Sequence, residues 1–151
     1  MTIDIDRFIE ELTLDKGAHS PDHTFCIMEA VAYVAGEPWS DQPQCASPVI
    51  TRYCQVLNDR WSTERRQALK PYVRRLVGTR NPALEHTRMF MCADAAVRGF
   101  APIALDAVGQ TTVAANLRQL PKIIDRASAL VGRDAAANAA YAANAANAAN
   151  A

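Results

Sequence analysis

At 151 residues with 50% hydrophobic content, the chain is long enough to bury a core without disulfide or metal staples. Sixteen basic residues balance sixteen acidic ones, so no net field draws the chain toward nucleic acid or an anionic membrane surface. No run reaches the ~18 apolar residues of a spanning helix, and the acidic start MTIDIDRFIEEL lacks the basic-then-apolar order of a secretory signal; a cytoplasmic location without membrane contact is expected.

The first segment, IDIDRFIEEL, places Ile5, Phe8, Ile9 and Leu12 at helical spacing and predicts an amphipathic helix. After the polar link DKGAHSPDH, Ser20 or Asp22 is placed to cap a helix from about His23 to Ala35, with Pro21 near its start and Gly36 ending it. That helix is apolar on every side except at Glu29. Prolines 38, 43 and 48 bias their predecessors away from the helical basin and make GEPWSDQPQCASP a stiff loop. Ser47 as cap and Pro48 in the first turn open PVITRYCQVLNDRW, in which Val49, Tyr53, Val56 and Leu57 recur with helical period.

Ser62 is placed to cap TERRQAL, Pro71 kinks or splits that helix before YVRRLVG, and Gly78 stops it. Asn81 and Pro82 signal the start of the longest helix, ALEHTRMFMCADAAVRGF, which carries Leu84, Met89, Met91, Cys92, Ala95, Ala96 and Val97. Pro102 and Gly109 bracket a short IALDAV helix, Thr111 or Thr112 caps VAANLRQL, and Pro121 separates it from KIIDRASALV. The tail AAANAAYAANAANAANA repeats with period three, keeping Asn138, Tyr141, Asn144, Asn147 and Asn150 in register. Alanine favours a continuing helix, on which each three-residue step falls about 60° short of a full turn and winds the asparagines around the cylinder.

No window alternates with period two between turn signals. The fold expected is therefore all-α: a single-domain orthogonal bundle of about seven or eight short helices, with residues 1–133 as the domain and 134–151 as an Ala/Asn-repeat helical tail.

Glu29 leads the candidate functional residues, because an ionised carboxylate in an apolar interior needs a partner. Candidates are Arg98, Arg88, His86, His23 and backbone amides of the proline-rich loop. Asp94 and Arg98 stand four apart on one helix face among small apolar residues, and pairing Arg98 with Glu29 would resolve two burial problems together. The stiff loop presents Glu37, Trp39, Ser40, Asp41 and Gln44, and a preordered loop loses little entropy when it binds. Ligand-binding residues are therefore expected at Glu29, Trp39, Asp41, Asp94 and Arg98.

The spacing of His19, His23, Cys26 and Cys45 suggests an alternative metal site, although it matches no standard zinc motif. The four cysteines, Cys26, Cys45, Cys54 and Cys92, contain no CxxC pair and read as free thiols. A denser basic stretch, with Arg60, Arg65, Arg66, Lys70, Arg74, Arg75 and Arg80 against Glu64, is a secondary candidate for meeting phosphates. The chain has no glycine-rich phosphate loop, GxSxG elbow or HExxH, so no cofactor is expected and no catalytic residue is assigned.

The segments CIMEAVAYVAGEPWSDQPQC, LVGTR and CADAAVRGFAPIALDAVG look like parts of small helical proteins from actinobacteria and their phages, over about residues 15 to 130. That resemblance implies an accessory role, such as one in phage and host conflict, and carries over no catalytic residue. The reading of the sequence is a non-enzymatic binding protein for a small polar or nucleotide-like ligand or a protein partner. The alternative is a metal-assisted hydrolase in which His19, His23, Cys26 or Asp41 holds the metal and Glu29 activates water. Nucleic acid is not an expected partner, and the tail offers a surface for homo-oligomer contact.

Overall fold

The computed structural model describes residues 4–20 and 24–149, and every regular element among them is helical. The all-α expectation holds. Among the described residues there are nine α-helices, but two junctions are continuous, and counting each continuous run once leaves seven. Backbone contacts divide the chain into two compact units, Met1–Glu85 and His86–Ala151.

In the first unit α1 (Ile5–Glu11) is capped by Asp4, whose carboxylate accepts the Arg7 amide at 3.1 Å. The segment behind it stays extended, with an isolated bridge between Leu14 and Phe25. That bridge corrects the expected start of the next helix. α2 runs only from Ile27 to Ala35 and is capped by Cys26, because the Phe25 carbonyl is already used by the Asp15 amide at 2.9 Å. Asp22, Pro21 and His23, expected at its start, lie outside the described residues. Glu29 thus stands in the first turn of α2, not in its middle. Gly36 ends the helix with φ 70°, a left-handed conformation that glycine adopts without a Cβ penalty.

α3 (Pro48–Arg60) begins as expected, with the Ser47 hydroxyl accepting the Ile50 amide and Pro48 in the first turn. α4 (Thr63–Arg66) follows a Ser62 cap and passes through a 3-10 segment, Gln67–Tyr72, into α5 (Val73–Leu76). Pro71 sits inside that tighter segment. Leu12, Leu14, Ile27, Met28, Val31, Leu69 and Val73 form the core of this unit, with Phe8, Phe25 and Tyr33 ring to ring beside it.

Five residues of the basic stretch are engaged within their own unit. Arg66 is buried at 3% exposure and donates to the carbonyls of Asn58 and Trp61, while Arg74 pairs with Asp6 at 2.8 Å. Arg65 and Arg75 lie over the rings of Trp61 and Tyr72, and Lys70 donates to the Glu10 carbonyl. The helical pattern of charge is used to tie α4 and α5 to their own unit.

A short 3-10 turn, Pro82–Leu84, leads into α6 (Glu85–Asp94), along which the division between the units falls. In the second unit the helix does not break at Pro102 as expected. A π-helical segment, Ala95–Phe100, widens the turn so that the Ala101 amide reaches the Ala96 carbonyl, and α7 (Ala101–Ala107) continues through the proline that lacks a donor. α8 (Thr111–Gln119) has Gln110 at its cap position and no side-chain cap bond, so neither Thr111 nor Thr112 plays the expected part.

α9 (Arg126–Ala149) absorbs the low-complexity tail into one helix. Ala139 is 5% exposed and packs with Leu105, Ala114 and Leu117, and Ala135 and Ala143 lie against the same cluster. Alanines four apart drift only about 40° per step and keep one face, whereas the three-residue Asn repeat winds away, leaving Asn138, Tyr141 and Asn144 exposed. The side chain of Asn147 and the whole of Asn150 lie outside the described residues. The change of composition at residue 134 is therefore not a boundary of structure: the tail's alanines belong to the second core, and the division lies at Glu85. No helix among the described residues is long and apolar enough to cross a membrane.

Candidate functional site

Glu29 finds its partners close in sequence. Its Oε1 accepts the His19 backbone N–H at 2.6 Å, and its Oε2 accepts the Cys26 backbone N–H at 2.7 Å and lies 2.9 Å from His19 Nδ1. The Cys26 sulfur in turn accepts the Glu29 N–H, which completes a reciprocal capping box at the start of α2. Trp39 donates its indole N–H to the His19 carbonyl at 2.8 Å and packs its ring on Phe25. Glu29, His19 and Trp39 are thus one strut that binds the 17–19 segment and the proline-rich loop to the buried end of α2.

The expected pairing of Glu29 with Arg98 is replaced by two local solutions. Arg98 donates to both oxygens of Asp94, at 3.0 and 3.2 Å, and Asp94 also accepts the Ile123 backbone N–H at 2.9 Å. The Ile123 amide, followed by the Arg98 guanidinium, holds the Asp94 carboxyl below its ordinary range. This pair ties the 121–125 segment to α6 within the second unit. Glu29, Asp94 and Arg98 share apolar surroundings in the sequence, and the fold uses them in two separate structural fasteners.

The metal alternative gathers no ligand set. Among the described residues no group of three His, Cys, Asp or Glu side chains is placed to hold a metal ion, and His23 lies outside those residues. Burial pushes the Cys26 thiol up to about 12 and the Cys54 thiol up to about 11, and it also raises Cys45, so all three stay protonated at neutral pH.

A polar concave surface of the first unit lies elsewhere, along one face of α3. Pro48, Thr51, Arg52 and Gln55 recur at positions i, i+3, i+4 and i+7, which share a helix face, and together with Gln42 and Arg80 they line a cleft of about 280 Å³. The opposite wall is fixed by a strap of hydrogen bonds. The Arg80 N–H donates to the Cys45 carbonyl, the Arg80 guanidinium to Gln44 Oε1, and the Ser47 N–H to Thr79 Oγ1. Glu37 accepts the Gln44 amide at 2.6 Å and fixes the far side of the loop.

A second cleft of about 200 Å³ adjoins it and shares Gln42, Arg52 and Gln55. Asp41 and Asp59 line this second space, with Gly17 and Asn58 beside them. Gln55 reaches across the junction and donates to the Asp41 carbonyl at 3.0 Å and to its carboxylate at 3.3 Å. Asn58 is wholly buried; its amide accepts the Ile27 N–H and donates to the Asp15 carbonyl, so it closes the floor.

Of the five expected ligand residues, Asp41 alone lines either of these clefts. Thr51, Arg52, Gln55 and Arg80 were not among them, although the first three form a polar face on a helix whose positions 49, 50, 53, 54, 56 and 57 are apolar. That periodicity was the signal available in the sequence. No protein-family model, curated protein or solved structure matches this chain.

Proposed function

We propose that the chain is a non-enzymatic binding protein that holds a small polar ligand in the two adjoining clefts of its first unit. One observation carries this reading: Gln42, Arg52 and Gln55 are shared between a cleft charged by arginines and a cleft that also contains carboxylates. A molecule with an acceptor-rich end and a donor-bearing end matches such a pair, and a nucleotide-like compound is one chemistry of that type. The proline-stiffened loop supports the reading, because walls already tied by the Arg80 and Glu37 bonds lose little freedom on binding.

The test is calorimetric titration of the full chain against nucleotides, nucleosides, amino acids and sugar phosphates, with product analysis of each mixture. Saturable binding without turnover is expected, and Gln55→Ala, which opens the shared junction, should weaken it about tenfold, or about 1.4 kcal/mol. A panel that yields no binding at all overturns the reading.

A further inference from the structure

We propose that the larger cleft is a phosphoryl site, taking the phosphate group of a small phosphorylated organic molecule. The proposal rests on the binding reading above and names the chemistry of the ligand's anionic end. Arg52 and Arg80 both line this cleft, and no carboxylate does. Arg52 has no hydrogen bond or ion pair with any described residue, and Arg80 is bonded only to uncharged groups, the backbone and side-chain oxygens of Gln44. Two guanidinium groups held in no ion pair around one concavity favour a multiply charged anion.

An independent observation points the same way. Thr51 lines the cleft at 6% exposure, and its hydroxyl oxygen is buried without a hydrogen-bond partner. Buried polar groups are matched in most folded proteins, so an orphan beside two arginines marks a group whose partner comes from outside the chain. Threonine in a helix keeps two staggered wells, so one rotation about χ1 swings its hydroxyl without moving the backbone. A tetrahedral phosphoryl group offers three terminal oxygens for donors arriving from different directions. A planar carboxylate offers two. A free phosphate ion leaves much of 280 Å³ empty, whereas an organic remainder can extend past Gln55 toward Asp41.

The experiment is titration of the full chain with inorganic phosphate, AMP and adenosine, at fixed ionic strength. AMP is expected to bind, adenosine at least tenfold more weakly. Inorganic phosphate as tight as AMP identifies the free ion as the source, and AMP tighter than phosphate identifies the organic ester; both support a phosphoryl site. Arg52→Gln, which removes no internal bond, and Arg80→Gln should each weaken AMP binding tenfold or more. Thr51→Val should also weaken it while the thermal midpoint of the free protein stays level or rises, because an unmatched buried hydroxyl is gone.

Equal binding of AMP and adenosine overturns the proposal, as does AMP affinity unchanged in Arg52→Gln. If neither phosphate nor any phosphorylated panel compound binds but an unphosphorylated one does so in a Gln55-dependent manner, the phosphoryl assignment falls and the binding reading stands.

Discussion

Glu29 shows how little of a residue's role its immediate neighbours in sequence convey. Between Met28 and Ala30 it reads as a lone charge in a core helix, yet its carboxylate closes a cap and holds a segment ten residues earlier. Cys26 stands where serine or threonine usually caps, so the C-x-x-E spelling hides a familiar geometry. Removing the carboxylate would leave three donors unmatched: the buried Cys26 N–H and, half-buried, the His19 N–H and, when it carries the proton, His19 Nδ1. Glu29→Leu should therefore lower stability by about 3 kcal/mol or more, read from urea midpoints at constant slope. Glu29→Gln keeps one acceptor and should lose less. A stability gain in the leucine variant would show that the strut is dispensable. Thr51 stands at the opposite extreme: its hydroxyl is buried and matched by nothing.

At the scale of elements, the stops and several starts were legible because local chemistry decides them. Ser47 with Pro48, Ser62, and glycines 36 and 78 act where their backbone preferences place them. Gly36 ends α2 at φ 70°, where an added Cβ strains the backbone even though no atom lies within 4 Å of it. Gly36→Ala should cost about 1 kcal/mol, measured by the same urea unfolding. An unchanged midpoint would mean that the helix ends elsewhere in solution. Starts and breaks that rest on distant partners were not legible. The start of α2 is set by the bridge of Phe25 to Leu14, and the continuity past Pro102 depends on a widened turn that forms only within the long helix.

At the scale of the whole molecule, composition suggested one domain with a tail, and the contacts give two units with the tail inside the second. The repeat drew attention to the asparagines at spacing three, whereas packing uses the alanines at spacing four. Cooperative burial should therefore order the rates of native-state hydrogen exchange. Amides of α2, six of whose nine residues are buried, should exchange slowest in the first unit, and in the second unit those around Ala139 should outlast those beyond Ala143. Uniformly fast exchange from residue 134 onward would show that the alanine face does not pack. The clefts follow the same rule of scale, since their walls come from residues as far apart as Gln42 and Arg80.

The sequence by itself determined the helical class, the stiffness of the 36–48 loop and most helix ends, because period, proline and glycine act through each residue's own backbone. It also required a partner for Glu29, because burial of a charge is a property of that residue. Only the tertiary structure decided which partner, which arginines stay unpaired and where the clefts lie. The clefts depend on segments far apart in the chain meeting at a few ångströms, and even the partner of Glu29, ten residues away, lies beyond the reach of any local preference.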